Sequence, residues 1–83
     1  GKPQDNFAMA TVLLSVEGKI SQKVQHEFQG WIAMKAGWGD GVVTVEQRGS
    51  RTNVTFPVEP PKNVHKVAEK AGKKLSELMA AES

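Results

Sequence analysis

The sequence predicts an α+β fold, a two-layer sandwich of order β-α-β-β-α with both helices on one face of a small antiparallel or mixed sheet. Three observations carry that expectation. Two β-rich runs flank the two-residue turn of Arg48-Gly49-Ser50-Arg51. Two further segments, one beginning at Ile20 and one ending near Met79, repeat apolar residues at the 3.6-residue period of a helix. The chain has 83 residues, a size that buries only about 60–65% of its unfolded surface, so these elements must share one core. The expected organisation is a disordered lead-in over 1–7, a single α+β domain over 8–80 and a frayed C-terminus over 81–83.

The first strand is expected over residues 8–17. Ala10, Val12, Leu14 and Val16 alternate with Thr11, Ser15 and Glu17. Leu13 breaks the alternation and predicts that both sheet faces are at least partly covered. Glu17-Gly18-Lys19 is a turn signal.

In the first helix Ile20, Val24, Phe28 and Trp31 form one stripe, with Ser21 as N-cap and Gly37 as terminator after Lys35-Ala36. Gly30 opposes this, because an interior glycine costs a helix about 1 kcal/mol against alanine. A competing arrangement ends the helix at Gln29 and makes Trp31–Lys35 a short strand; the longer helix fits the stripe better. Gly37-Trp38-Gly39-Asp40-Gly41 lacks the GxxxxGK[ST] pattern of a phosphate cradle and reads as a helix-to-strand connection.

The hairpin is the clearest segment. A Gly-Ser turn of type II′ sets Arg48 opposite Arg51, Gln47 opposite Thr52, Glu46 opposite Asn53, Val45 opposite Val54 and Thr44 opposite Thr55. One face then carries Val43, Val45, Val54 and Phe56, and the other Thr44, Glu46, Asn53 and Thr55. Pro57 suggests the end of an edge strand. After the stiff Glu59-Pro60-Pro61 connector, Val64, Val67, Ala68, Ala71, Leu75, Leu78 and Met79 line one side of the last helix. That helix is expected to end near Met79 and to fray from Ala80.

Composition argues against catalysis. The absence of cysteine excludes disulfides, thiol nucleophiles and Cys-ligated zinc, and two histidines are too few for a His-rich metal cage. His26 and His65 sit on different helices without HExxH spacing and are expected on the surface. No serine lies in a GxSxG or SxxK context, and Glu17, Glu27, Asp40, Glu46 and Glu59 are dispersed. A non-enzymatic protein without cofactor or metal is the expectation. The longest uncharged run, Asn6 to Val16, falls well short of the roughly 20 residues of a membrane span, and no signal-peptide pattern surrounds it. Cytoplasmic residence is expected, and the Gly1-Lys2-Pro3 start suggests a domain cut from a longer chain. The Asn53-Val54-Thr55 sequon falls inside a predicted strand and reads as a chance match.

Charge is more informative. The formal net charge of +2 averages two unlike halves: residues 1–40 balance to zero, whereas residues 48–74 hold seven basic against two acidic side chains, a net of +5. Lys62, Lys66, Lys70 and Lys73 fall opposite the apolar stripe of the last helix, with Lys74 just beyond. Arg48 and Arg51, opposed at the hairpin tip, contribute nothing obvious to folding, and the planar arginine fork suits phosphate. Chain geometry predicts that Lys70, Lys73 and Lys74 approach the same end of the molecule as the tip.

The expected function is therefore a binding module that contacts nucleic-acid phosphates through Arg48, Arg51, Lys62, Lys66, Lys70, Lys73 and Lys74. The lysine stripe is equally what keeps an ordinary surface helix soluble, and no aromatic residue interleaves with it. The alternative is a protein-interaction or oligomerisation module, using the open sheet face, the edge strand ending in Pro57, or an exposed Trp38.

Overall fold

Strands whose residues alternate apolar and polar can bury one face only, and two amphipathic helices supply what covers it. A computed structural model of the chain describes residues 10–35, 38, 42–59 and 63–82. Its elements are β1 (Ala10–Glu17), α1 (Gln22–Ala33), β2 (Thr44–Arg48), β3 (Arg51–Val58) and α2 (Val64–Glu82). The expected lead-in, Gly37, Gly39 to Gly41, and Pro60 to Lys62 lie outside the described residues.

The sheet is antiparallel, with strand order β1-β3-β2. β1–α1–β2 is thus a split β-α-β unit, with β3 lying between its two strands. The hairpin register is the expected one from Thr44–Thr55 to Arg48–Arg51. Gly49 takes φ +62°, as the first central position of a primed turn requires. β1 pairs along its whole length, from Ala10–Val58 to Glu17–Arg51.

β3 is therefore central, which corrects the reading of Pro57 as part of an edge strand. Proline survives there because β2 stops at the Thr44–Thr55 pair, leaving β1 as the one strand paired beside Pro57. A second correction concerns Leu13. It is 59% exposed, because both helices lie over the opposite face and no described element covers its own.

In α1, Ser21 is the N-cap: its Oγ accepts the Val24 N–H at 3.1 Å. Val24, Phe28 and Ile32 are buried at helical spacing. The helix passes through Gly30, as the longer reading requires, but stops at Ala33, short of the expected Lys35-Ala36. There the bonding tightens: the N–H groups of Met34, Lys35 and Trp38 donate to the carbonyls of Trp31, Ile32 and Lys35. That turn returns Trp38 to the core at 6% exposure, so Trp38 offers no exposed docking ring.

In α2, Val67, Ala71 and Leu75 are buried. Asn63 caps the helix, accepting the Lys66 N–H on its side chain and the Val67 N–H on its carbonyl. Val64, expected in the buried stripe, lies on the first turn and is 38% exposed. The helix continues to Glu82, three residues past the expected end, and Glu82 Oε1 accepts a hydrogen bond from Ser21 Oγ at 2.7 Å.

Four aromatic rings close a circuit in the core. Phe28 meets Trp31 at 6.1 Å and Phe56 at 6.0 Å, and Trp38 meets Trp31 at 5.4 Å and Phe56 at 5.9 Å between centroids. These separations suit offset-stacked and edge-on pairs, each worth about 0.5–1.5 kcal/mol beyond area burial. Trp31, at the rim, carries Lys35 Nζ over its ring at 4.6 Å.

Candidate nucleic-acid interface

The Gly49 turn and the hairpin register place Arg48 and Arg51 opposite each other at the tip. Alternation then decides their face. Thr52, Val54 and Phe56 point into the core, so Arg51, Asn53 and Thr55 line the other side. Arg51 is committed there: its Nε donates to Ser15 Oγ at 2.9 Å and its guanidinium donates to the Ser15 carbonyl at 3.0 Å. The fork fastens β3 to β1, which corrects the expectation that the tip arginines do nothing for folding. Arg48 lies 3.5 Å from Glu46 Oε2 in an exposed ion pair, of a kind worth about 0–1 kcal/mol.

Around the tip the backbone is stitched. The Gly18 N–H donates to the Ser50 carbonyl at 2.7 Å, and Gln47 Nε2 donates to the carbonyls of Gly49 and Arg51. Thr52, fully buried, donates to the Gly18 carbonyl at 2.6 Å and lies 2.9 Å from Gln47 Oε1.

On α2, Lys66, Lys70 and Lys73 are exposed and Lys74 is half-buried. Their neighbours Val67, Ala71 and Leu75 face the sheet, so the first three lysines point outward from the helix layer. Among the described residues Arg48–Glu46 is the one ion pair, and no carboxylate lies within 4 Å of these lysine ammonium groups. His65 and His26 are both exposed.

The two basic sets thus occupy opposite sides of the molecule, arginines on the open sheet face and lysines on the outside of the helices. Nor do they share an end. The part of α2 that comes back toward the tip is Glu82, bonded to Ser21 three residues beyond Gly18. Lys74 stands eight residues short of Glu82, about 12 Å along the helix axis. Gly72 lies beside Leu14, in the middle of the sheet rather than at its tip.

Other concavities are open surface. One on the bare sheet face is lined by Leu13, Thr44, Val45, Glu46, Asn53 and Thr55; another gathers Lys19, Ser21, Val24, Met79 and Glu82. Among the described residues no three His, Cys, Asp or Glu side chains form a metal-holding group, and no helix is long and apolar enough to cross a membrane. The Arg51–Ser15 fork has no signal in the sequence, because it depends on which strand lies beside β3. In comparisons with known proteins, no family model, no curated protein and no solved structure matches the chain.

Proposed function

We propose that the chain is a non-enzymatic binding module that contacts nucleic-acid phosphates through the outer face of α2. The supporting observation is that Lys66, Lys70 and Lys73 stand exposed on that face without a carboxylate in ion-pair range. Lys74 flanks them, and Lys62 continues the stripe in sequence. Arg48 and Arg51 form a separate, secondary contact point on the other side. Three lysine–phosphate contacts predict a slope of log affinity against log salt near −2.7 on duplex DNA, about a 40-fold loss between 50 and 200 mM salt. Titration of a labelled duplex checks this, and replacing the three lysines by glutamine should flatten the slope while the fold is retained. No binding to duplex or single strands at about 50 mM salt removes the proposal.

A second reading, a protein-interaction module, is supported by a different observation. Leu13 stands 59% exposed on a sheet face that no described element covers. A partner on that face would leave affinity insensitive to the α2 lysines.

A further inference from the structure

The two outer strands of the sheet differ in how they are guarded. β2 has five residues, of which Glu46 and Arg48 carry charge. Short length and charge are the usual means of keeping an edge strand from pairing with another chain. β1 has eight residues, ATVLLSVE, with no charge before Glu17, no proline, no glycine and no interruption of its ladder to β3. Among the described residues nothing pairs with its outer side. Its burial is also unfinished. On the core face Ala10, Leu14 and Val16 are half-buried, whereas Val54, Phe56 and Val58 of central β3 are at most 1% exposed.

We infer that the outer edge of β1 pairs antiparallel with the same edge of a second copy of this chain, giving one continuous six-stranded sheet. A two-fold axis at Leu13 sets Leu13 against its own counterpart on the open face and Thr11 against the partner copy's Ser15. On the core face it sets Val12 against Leu14 and Ala10 against Val16. Over Ala10–Val16 every half-buried apolar residue then meets another apolar residue, Thr11 meets Ser15, and no charge lies within the matched register. Pairing β1 with β2 of another copy would cover only five residues and would leave a free β1 at the end of each assembly, an open chain rather than a closed pair. The self-pairing closes.

This inference goes beyond the proposed nucleic-acid contact and does not depend on it. The two are connected geometrically, since α2 packs on β1. A two-fold axis perpendicular to the sheet keeps both helix layers on one side, so the lysine faces of the two α2 helices share one surface.

Sedimentation velocity of the full 83-residue chain tests the pairing. A single-strand seam lies at the low end of interface sizes, so half-association is expected between about 10 and 100 μM, with no species larger than a dimer. Leu13→Lys should leave a monomer at every concentration, with its fold checked by circular dichroism. Opposed residues of an antiparallel pair have Cβ atoms about 4.5–5.5 Å apart, and the chain contains no other cysteine. Leu13→Cys should therefore be joined into a covalent dimer by a short thiol-reactive bis-maleimide, while Thr44→Cys on the guarded edge should not. A wild-type mass that stays monomeric to about 500 μM overturns the inference. So does association that survives Leu13→Lys, or a mass that climbs past the dimer.

Discussion

On the helix-covered side of the sheet, Val12, Val54, Phe56 and Val58 are at most 2% exposed, and Thr52 is buried with its hydroxyl bonded. On the other side, alternate residues of the same three strands meet solvent: Leu13, Ser15, Thr44, Glu46, Arg48 and Arg51 are all exposed. One face is filled by shape, down to the circuit of Phe28, Trp31, Trp38 and Phe56. The other is held by polar links that leave it accessible. A domain of this size has too few apolar residues to cover both faces, so uncovered sheet is the ordinary consequence of its length. What is unusual is that one of the exposed large apolar residues, Leu13, lies within the unguarded edge strand.

The largest effect that could break this contrast concerns the aromatic circuit. Phe28→Ala removes a ring at 1% exposure that contacts both Trp31 and Phe56, and should destabilise by about 3–5 kcal/mol in urea unfolding. Thr55→Ala on the open face should stay within about 0.5 kcal/mol; comparable losses at the two sites would show that the faces are equivalent.

Next comes Thr52→Val, which keeps the shape and deletes the hydroxyl. It leaves the Gly18 carbonyl without the 2.6 Å donor and should lower stability by about 1–3 kcal/mol. An unchanged midpoint would show that water replaces the bond.

The smallest effect separates the two tip arginines. Arg51→Ala loses the fork on Ser15 and should cost about 1 kcal/mol, less than a buried charged bond because the site is exposed. Arg48→Ala should change stability by less than about 0.5 kcal/mol. Equal losses would remove the distinction between the arginine that fastens two strands and the one held only in an exposed ion pair.

Much of this architecture was legible in the letters, for identifiable reasons. The hairpin register follows from period-two alternation meeting a Gly-Ser turn, and both helical stripes follow from spacing alone. The rest depended on neighbours that local rules do not name. Pro57 suggested an edge because proline lacks a ladder donor, yet β2 ends early enough for a central strand to accept it. α2 outlasted its expected end because Glu82 finds Ser21, sixty-one residues away. The basic stripe on α2 was legible; its separation from the hairpin tip was not, since Arg51 turns to Ser15 only once β1 lies beside β3.

Strand order also shapes how the chain reaches this state. β2 and β3 are joined by a two-residue turn and can zip together in about 1–10 μs. β1 must instead find residues 34 to 48 positions away, from Glu17–Arg51 to Ala10–Val58, and such distant pairing is slow to form. Until it docks, the hairpin and β1 both offer bare backbone to any neighbouring chain. The concentration at which this protein is synthesised and refolded therefore bears on its yield before its native surface matters at all.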